Sequence, residues 1–475
     1  MNSASKKFPA LIYLAALFLR LIPILLTSSL GIGLDDMFQY DMLARSLAAG
    51  NGYRWYARED LRLLEPYVDF DLASTDYDPA RGVPTSFRAP LYPAFLALVY
   101  SLAGAGASRF FAARLAQAIL LGAPLAPLAY LAARKLLAGN ERAARISGWL
   151  VAAYPMLLIF PIGLGTENLF FLLLLLSFLF LLSLIEHPAI PRFLLAGFLL
   201  GLTALTRSVV LPFAGLAVLW AWFILKQKRG ALLMALALTV TILPWVARNS
   251  LLHGRLTGIE TSMGYNLYVG YHPESAGTFT FGPSLDLIPI LDDSVRDQLG
   301  TQKALEFIQA DPGRFLPLAA SRLGHFFRLE LRVLTYFYSS NFFGFIPMPL
   351  LLALMALFGL PFAILSISAA LGCLRLPRTP AALLAAGLFL GYLLPHVFIL
   401  SEERFHLALI PLLAIFAAHA WTLGPTAVKT SGRPALAAVL VLALLLFNWT
   451  WQVAADADKF SALLGPNGNQ TYYPY

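Results

Sequence analysis

The chain is poor in cysteine and in charge. Cys373 is the only cysteine among 475 residues, which excludes an internal disulfide and any cysteine-built metal cluster. Charged residues make up 13% of the chain and hydrophobic ones 59%, whereas soluble domains are about half apolar and about a quarter charged. That shortage points to a polytopic membrane protein. An internal repeat and low-complexity tracts are also missing, and no small-residue cleavage site follows the apolar stretch behind Lys6 and Lys7. A start-anchor helix is therefore expected there rather than a signal peptide. The formal net charge of +8 does not argue for nucleic acid, because a basic excess in membrane proteins is usually topological.

Long apolar runs are what the chain does have. LFFLLLLLSFLFLLSLI at 169–185 is close to the ~20 residues that cross ~30 Å of hydrocarbon. Eleven spans are expected, at about 8–28, 110–133, 144–161, 168–185, 192–206, 209–225, 231–248, 345–371, 380–400, 405–422 and 435–452. The connections sort by charge. Lys6/Lys7, Arg134/Lys135, Arg142/Arg145, Arg192, Lys226/Lys228/Arg229, Arg375/Arg378 and Lys429/Arg433 lie in short basic loops whose only acids are Glu141 and Glu186. The positive-inside rule puts these in the cytoplasm. The long segments 30–87 and 249–313 hold 18 of the 26 acidic residues and are expected outside. Loops this long are usually functional.

PLYPAFLALVYSLAG at 90–104 is apolar but short. A span there would move every later basic loop outside, so it is read as a helix embedded from the outer face. A second interfacial helix is expected at about 312–333, where Arg314, Arg322, Arg328 and Arg332 interleave with Leu and aromatics. The organisation is then a first transmembrane helix at 1–29, a first outer loop with its embedded helix at 30–104 and transmembrane helices at 105–248. A second outer loop with a juxtamembrane helix follows at 249–344, more transmembrane helices at 345–452 and an outer tail at 453–475. The N-terminus is cytoplasmic, in the plasma (inner) membrane.

The stretch LDDMFQYDMLARSLAAGNGY (34–53) carries the first chemistry. Asp36 with Gln39 three residues on has the form of a capping box, so Asp36 reads as a helix N-cap. Asp35 is left over. A carboxylate just beyond the bilayer can act as general base on a hydroxyl or as a metal ligand; a plain solvated acid near a helix N-terminus is the structural alternative. Asp69/Asp71 and Asp76/Asp78 form Asp-x-Asp pairs that can bind a divalent cation, although such stretches are more often solvated loops.

Arg88, Arg207 and Arg404 all fall at outer membrane edges, in separate hairpins. Guanidinium groups at that depth suit bidentate capture of a phosphate, with snorkelling as the bland alternative. No lysine occurs in the first outer loop, so arginine must do this work. Glu167 and the pair Glu402/Glu403 lie at the same level and could orient the arginines or take substrate hydroxyls. In the second loop, Asn249, Tyr265, Asn266 and His272 offer the amide and aromatic surfaces typical of sugar contacts. No second ligand stands at metal spacing from the histidines.

Taken in order, LDDMFQYDMLARSLAAGNGY (34–53), FRAPLYPAFLALVYSLAG (87–104), ARLAQAIL…YLAARKLLAG (113–139), TENLF (166–170), LTALTRSVVLPF (202–213), LPWVARN (243–249), GYNLYVGYHPESAGTF (264–279) and ERFHLALIPLLAIFAA (403–418) resemble the GT-C glycosyltransferases. The nearest group is bacterial glycosyltransferase family 39, with relatives among protein O-mannosyltransferases and the lipid A aminoarabinose transferase. The resemblance implies an all-α membrane fold and a hexosyl- or pentosyltransferase that uses a polyprenyl-phosphate sugar donor. Transfer to a lipid, glycan or protein acceptor takes place with inversion at the outer face. It implies Asp35 as the base, Asp36 as its catalytic partner and Arg88 as a holder of the lipid phosphate. The family's usual Pro-Pro after that arginine is Ala89-Pro90 here, and the acidic insert at about 58–82 lengthens the first loop. No cofactor is required by this reading, and Mg²⁺ or Mn²⁺ stays open. The alternatives are a flippase or transporter, which would place charge at mid-membrane, and a ligase or polymerase of lipid-linked polysaccharide.

Overall fold

The computed structural model describes residues 3–72, 76–334, 346–427 and 432–465. Among these the chain is almost wholly helical. Eight helices are long and apolar enough to cross a membrane: Lys7–Leu26, Arg109–Leu136, Glu167–Glu186, Lys228–His253, Met348–Cys373, Pro380–Phe398, Glu403–Ala427 and Ala435–Ala455. A ninth forms if Glu141–Ala153 and Pro155–Ile162 are one span, bent by 54°. The bend has a plain cause, since Pro155 cannot donate to the ladder of the preceding helix. The other two expected spans exist as the shorter apolar helices Ile190–Ala204 and Ser208–Phe223. The count of eleven thus holds as helices, not as full-length spans. Lys429 lies outside the described residues.

Local sequence explains where helices begin. Asn140, Asp292 and Thr379 each accept a hydrogen bond from a backbone N–H in the first turn of the helix they precede. Tight helix pairs use glycine. A Cβ at Gly197 would run into the Met234 carbonyl, and one at Gly201 would stand 2.6 Å from Thr241 Cβ. Helix Ile190–Ala204 therefore lies close along Lys228–His253, as small residues permit in membranes.

The two large loops fold onto the same end of the bundle and onto each other. The first contains helix Asp36–Ala48, the helix Arg58–Leu64, and a two-stranded ribbon pairing Arg54–Trp55 with Val83–Pro84. The apolar stretch 90–104 forms the helix Leu91–Ala103. At 1.5 Å per residue, its 13 residues are too few to cross ~30 Å. It packs against Asp36–Ala48, where buried Asp41 accepts from Arg45 (2.8 Å), Arg109 (2.7 Å) and Tyr100 (3.0 Å). The second loop supplies helices Met263–Tyr271 and Asp293–Ala310. Buried Asp293 joins the loops by accepting from Thr85 Oγ1 at 2.5 Å, from Ser86 N at 2.7 Å and from Arg296.

The expected amphipathic helix over 312–333 is corrected. The helix is Phe315–Phe326, and the arginines in and around it bond to protein groups. Arg322 is fully buried and donates to the carbonyls of Gly270 (2.6 Å) and Phe398 (3.3 Å). Arg314 bonds to Ser275 O, and Arg328 pairs with Asp456. These cations dock the second loop onto the bundle, a role that helical periodicity does not reveal.

Candidate active site

At the large-loop end of the bundle, residues far apart in the sequence make one ion-pair network. Asp36 binds Arg88 with one carboxylate oxygen and Arg404 Nη2 with the other, at 2.8 Å. Arg404 Nε lies 2.8 Å from Glu402 Oε2 and 3.8 Å from Glu167 Oε1. Arg207 Nη1 lies 2.6 Å from the same Glu167 oxygen. Glu402 also stands 3.8 Å from Arg332. The three arginines singled out in the sequence are thus gathered, with carboxylates interleaved between them. Such spacing keeps three cations together without their repelling the fold apart.

Arg88 is the most constrained. Its Nε donates to Gln39 Oε1 at 2.8 Å, and the guanidinium lies 5.3 Å from the Tyr40 ring centroid and 5.1 Å from that of Phe87. Phe87 in turn packs edge-on against Tyr265 and lies beneath Arg296. The second loop therefore buttresses Arg88 through Phe87.

The capping role expected of Asp36 falls to its neighbour. Asp35, not Asp36, is the N-cap, accepting from Met37 N at 2.8 Å with Oδ1. Asp36 and Gln39 do not form a capping box. They lie one turn apart on one helix face and together clamp Arg88. Among the described residues, Asp35 pairs with no cation and accepts only from backbone N–H groups. It is solvent-accessible yet surrounded by protein on most sides, and this desolvation, aided by the charge of Asp36, raises its pKa above the ordinary carboxylate value. Burial also works to raise Asp36, but the guanidinium groups of Arg88 and Arg404 outweigh it and hold that carboxyl well below the usual range.

The approach to Asp35 is held by a buried arginine that the sequence reading did not pick out. Arg114 donates to the carbonyls of Leu30 (2.5 Å), Gly31 (2.7 Å) and Ile162 (2.8 Å). It sits just before a stretch of π-helix, Gln117–Gly122, a distortion often found at functional sites. Gln117 there accepts from Tyr92 and donates to Pro161 O. Arg114 lies in ARLAQAIL, one of the stretches that carry the resemblance, but nothing in that pattern gives it a role.

Several expected substrate contacts are corrected. Asn249 is fully buried and donates to the carbonyls of Gly258 (2.9 Å) and Ile259 (3.0 Å), so it ties down its own loop. The helix that carries it runs on to His253 rather than ending near 248. His272 closes helix Met263–Tyr271, packs between Tyr268 and Phe307 and accepts with Nδ1 from the Glu274 N–H at 3.2 Å. Asn266, one position past Tyr265 on the same helix, is half-buried. Tyr265 stays at the edge of the site, with its hydroxyl donated to Ser284 O at 2.9 Å. Glu403 accepts from the backbone N–H of Arg332 at 3.0 Å, while its neighbour Glu402 pairs with Arg404. Of the Asp-x-Asp pairs, Asp78 spends one oxygen on the N–H groups of Ala80 and Arg81, closing its own turn. Among the described residues, no three His, Cys, Asp or Glu side chains gather to hold a metal ion.

Arginines and carboxylates thus gather at the loop-covered end of a helical bundle. Known proteins are similar to this chain in part of the sequence or in fold. Residues 87–246 match the family model described as dolichyl-phosphate-mannose-protein mannosyltransferase. The oligosaccharyltransferase of Archaeoglobus fulgidus, in its apo form, superposes over 100% of this chain with a TM-score of 0.51 and 15% identity. This chain spans only 61% of that protein's length. ArnT from Cupriavidus metallidurans, solved bound to undecaprenyl phosphate, aligns over 96% of this chain and 90% of its own at 14% identity, with a TM-score of 0.40. Among curated proteins, no sequence matches. The likeness to the Archaeoglobus fulgidus oligosaccharyltransferase is one of fold.

Proposed function

We propose that the protein is an inverting glycosyltransferase. It moves one sugar from a polyprenyl-phosphate donor to a hydroxyl acceptor on the outer face of the plasma membrane. The observation that carries this reading is the placement of Asp35, in no ion pair among the described residues and with a raised pKa, beside the Arg88–Asp36–Arg404–Glu167–Arg207 network. Asp35 takes the proton of the acceptor hydroxyl as its oxygen bonds to the anomeric carbon. The bond from that carbon to the phosphate oxygen breaks on the opposite side, and its electron pair leaves with polyprenyl phosphate. Preorganised cations aimed at the leaving phosphate lower the barrier without rearranging during reaction. Asp36 is not a second base in this scheme. It is the bridge that sets the spacing of Arg88 and Arg404. We assign neutralisation of the phosphate to the arginines, with no step through Mg²⁺ or Mn²⁺. Transfer is then expected to persist in excess chelator, and its abolition by chelation with rescue by either cation would reverse that assignment.

The decisive assay gives the purified protein in lipid nanodiscs a panel of polyprenyl-phosphate monosaccharides and a cell-envelope extract, and follows release of polyprenyl phosphate. Asp35→Asn should lower release by a factor of ~10²–10⁴, the ordinary worth of a general base, while labelled donor still binds. Full release by Asp35→Asn would refute the assignment. Binding without release from any donor would favour a lipid flippase.

A further inference from the structure

A cavity of about 600 Å³ opens on the large-loop side, between the segment 255–261 and helix Asp293–Ala310. Its lining is unlike the rest of this apolar chain. The helix wall carries Gln298, Thr301, Gln302, Leu305, Glu306 and Gln309, positions that recur every three or four residues and so form one face. The facing wall carries Arg255, Thr257, Glu260 and Thr261. Arg255 Nε is buried without a partner, although its Nη2 donates to Ser294 O at 2.6 Å. Leu256 and Leu305, 90% and 53% exposed, stand at the same cavity. Amides, hydroxyls and carboxylates interspersed with a little apolar surface match a sugar ring, which offers hydroxyls at its edge and C–H groups on its faces.

The cavity joins the charged network through one wall. Glu260 accepts from both the N–H and the hydroxyl of Ser208, the residue after Arg207, and it lies within electrostatic reach of Arg88. A ligand in the cavity therefore rests against the same carboxylate that braces the arginine side of the site. The walls are firm. A Cβ at Gly264 would collide with the Asp297 carbonyl, so helix Met263–Tyr271 is packed hard against the helix that forms the cavity wall.

We propose that this cavity is the acceptor subsite and that it takes a carbohydrate, a reading that rests on the transferase function above. Gln298 and Gln302 supply hydrogen bonds to sugar hydroxyls, Leu256 and Leu305 form the apolar platform, and Glu260 separates acceptor from donor. The test is an array of bacterial surface glycans probed with the purified full chain, beside a peptide library and a separate binding assay for undecaprenyl phosphate. Wild type should bind a subset of the glycans. Gln298→Trp and Gln302→Trp, both at exposed helix positions, should weaken that binding about tenfold or more, as blocking a built pocket does, and leave undecaprenyl phosphate binding unchanged. Equal glycan binding by wild type and both variants, no glycan binding at all, or capture of peptides instead would overturn the proposal. Failure of wild type to bind undecaprenyl phosphate would count against the donor reading alone.

Discussion

At the scale of single residues, the site turns on which of two neighbours does which job. Asp35 caps and Asp36 bridges; Glu402 pairs and Glu403 takes a backbone N–H. The sequence places both pairs at the right depth but cannot orient them, because adjacent side chains at a helix start diverge by about 100° and a slip of one residue exchanges their partners. This has a pH consequence. Desolvation and the Asp36 charge raise the Asp35 carboxyl, so transfer should fall as pH drops through a limb above the ordinary ~3.9 of aspartate. Asp36→Asn removes one of the two causes and should move that limb to lower pH, while costing about 10²-fold in rate by letting Arg88 and Arg404 drift. A pH profile of kcat/KM for both proteins decides the point; an unmoved limb would show that Asp35 is not the base. Asp36 carries the opposite sign for stability. Its depressed native pKa stabilises the fold above about pH 4, and that contribution is lost as pH falls through the native value.

At the scale of elements, helix existence follows from apolar runs, and helix ends from caps such as Asn140 and Thr379. All eleven expected spans appear as helices. What hydropathy could not settle was length. Ile190–Ala204 and Ser208–Phe223 are short, because a turn around Arg207 interrupts them and delivers that cation to Glu167. The arginines near 314–332 were misread for a related reason. Their periodicity suggests an interface, whereas Arg322 is consumed by carbonyl groups. Packing at this scale is tested by Gly197→Ala. The added methyl meets the Met234 carbonyl, so overpacking should lower stability by about 1–3 kcal/mol, read as a drop in Tm of the detergent-solubilised protein. An unchanged Tm would mean that the two helices are not held at this distance.

At the scale of the whole molecule, the two loops act as one cap because Asp293 of the second is buried against Thr85 and Ser86 of the first. Asp293→Ala leaves Arg296 and those donors without their acceptor. Removing one partner of a buried ion pair costs about 3–5 kcal/mol, so the variant should unfold at lower temperature and expose the loops to limited proteolysis before the bundle. Loops that stay as protected as in wild type would show that the cap is held by other contacts. The sequence by itself determined the membrane class and the number of apolar helices, and it singled out three arginines that the fold gathers, because burial of apolar runs and the scarcity of charge leave few other solutions. Only the tertiary structure decided that Arg88, Arg207 and Arg404 are bridged by Asp36 and Glu167, that Arg114 holds the approach to Asp35, and that Asn249 serves its own loop. Those facts depend on side-chain direction and on contacts between segments hundreds of residues apart, neither of which is written in local pattern.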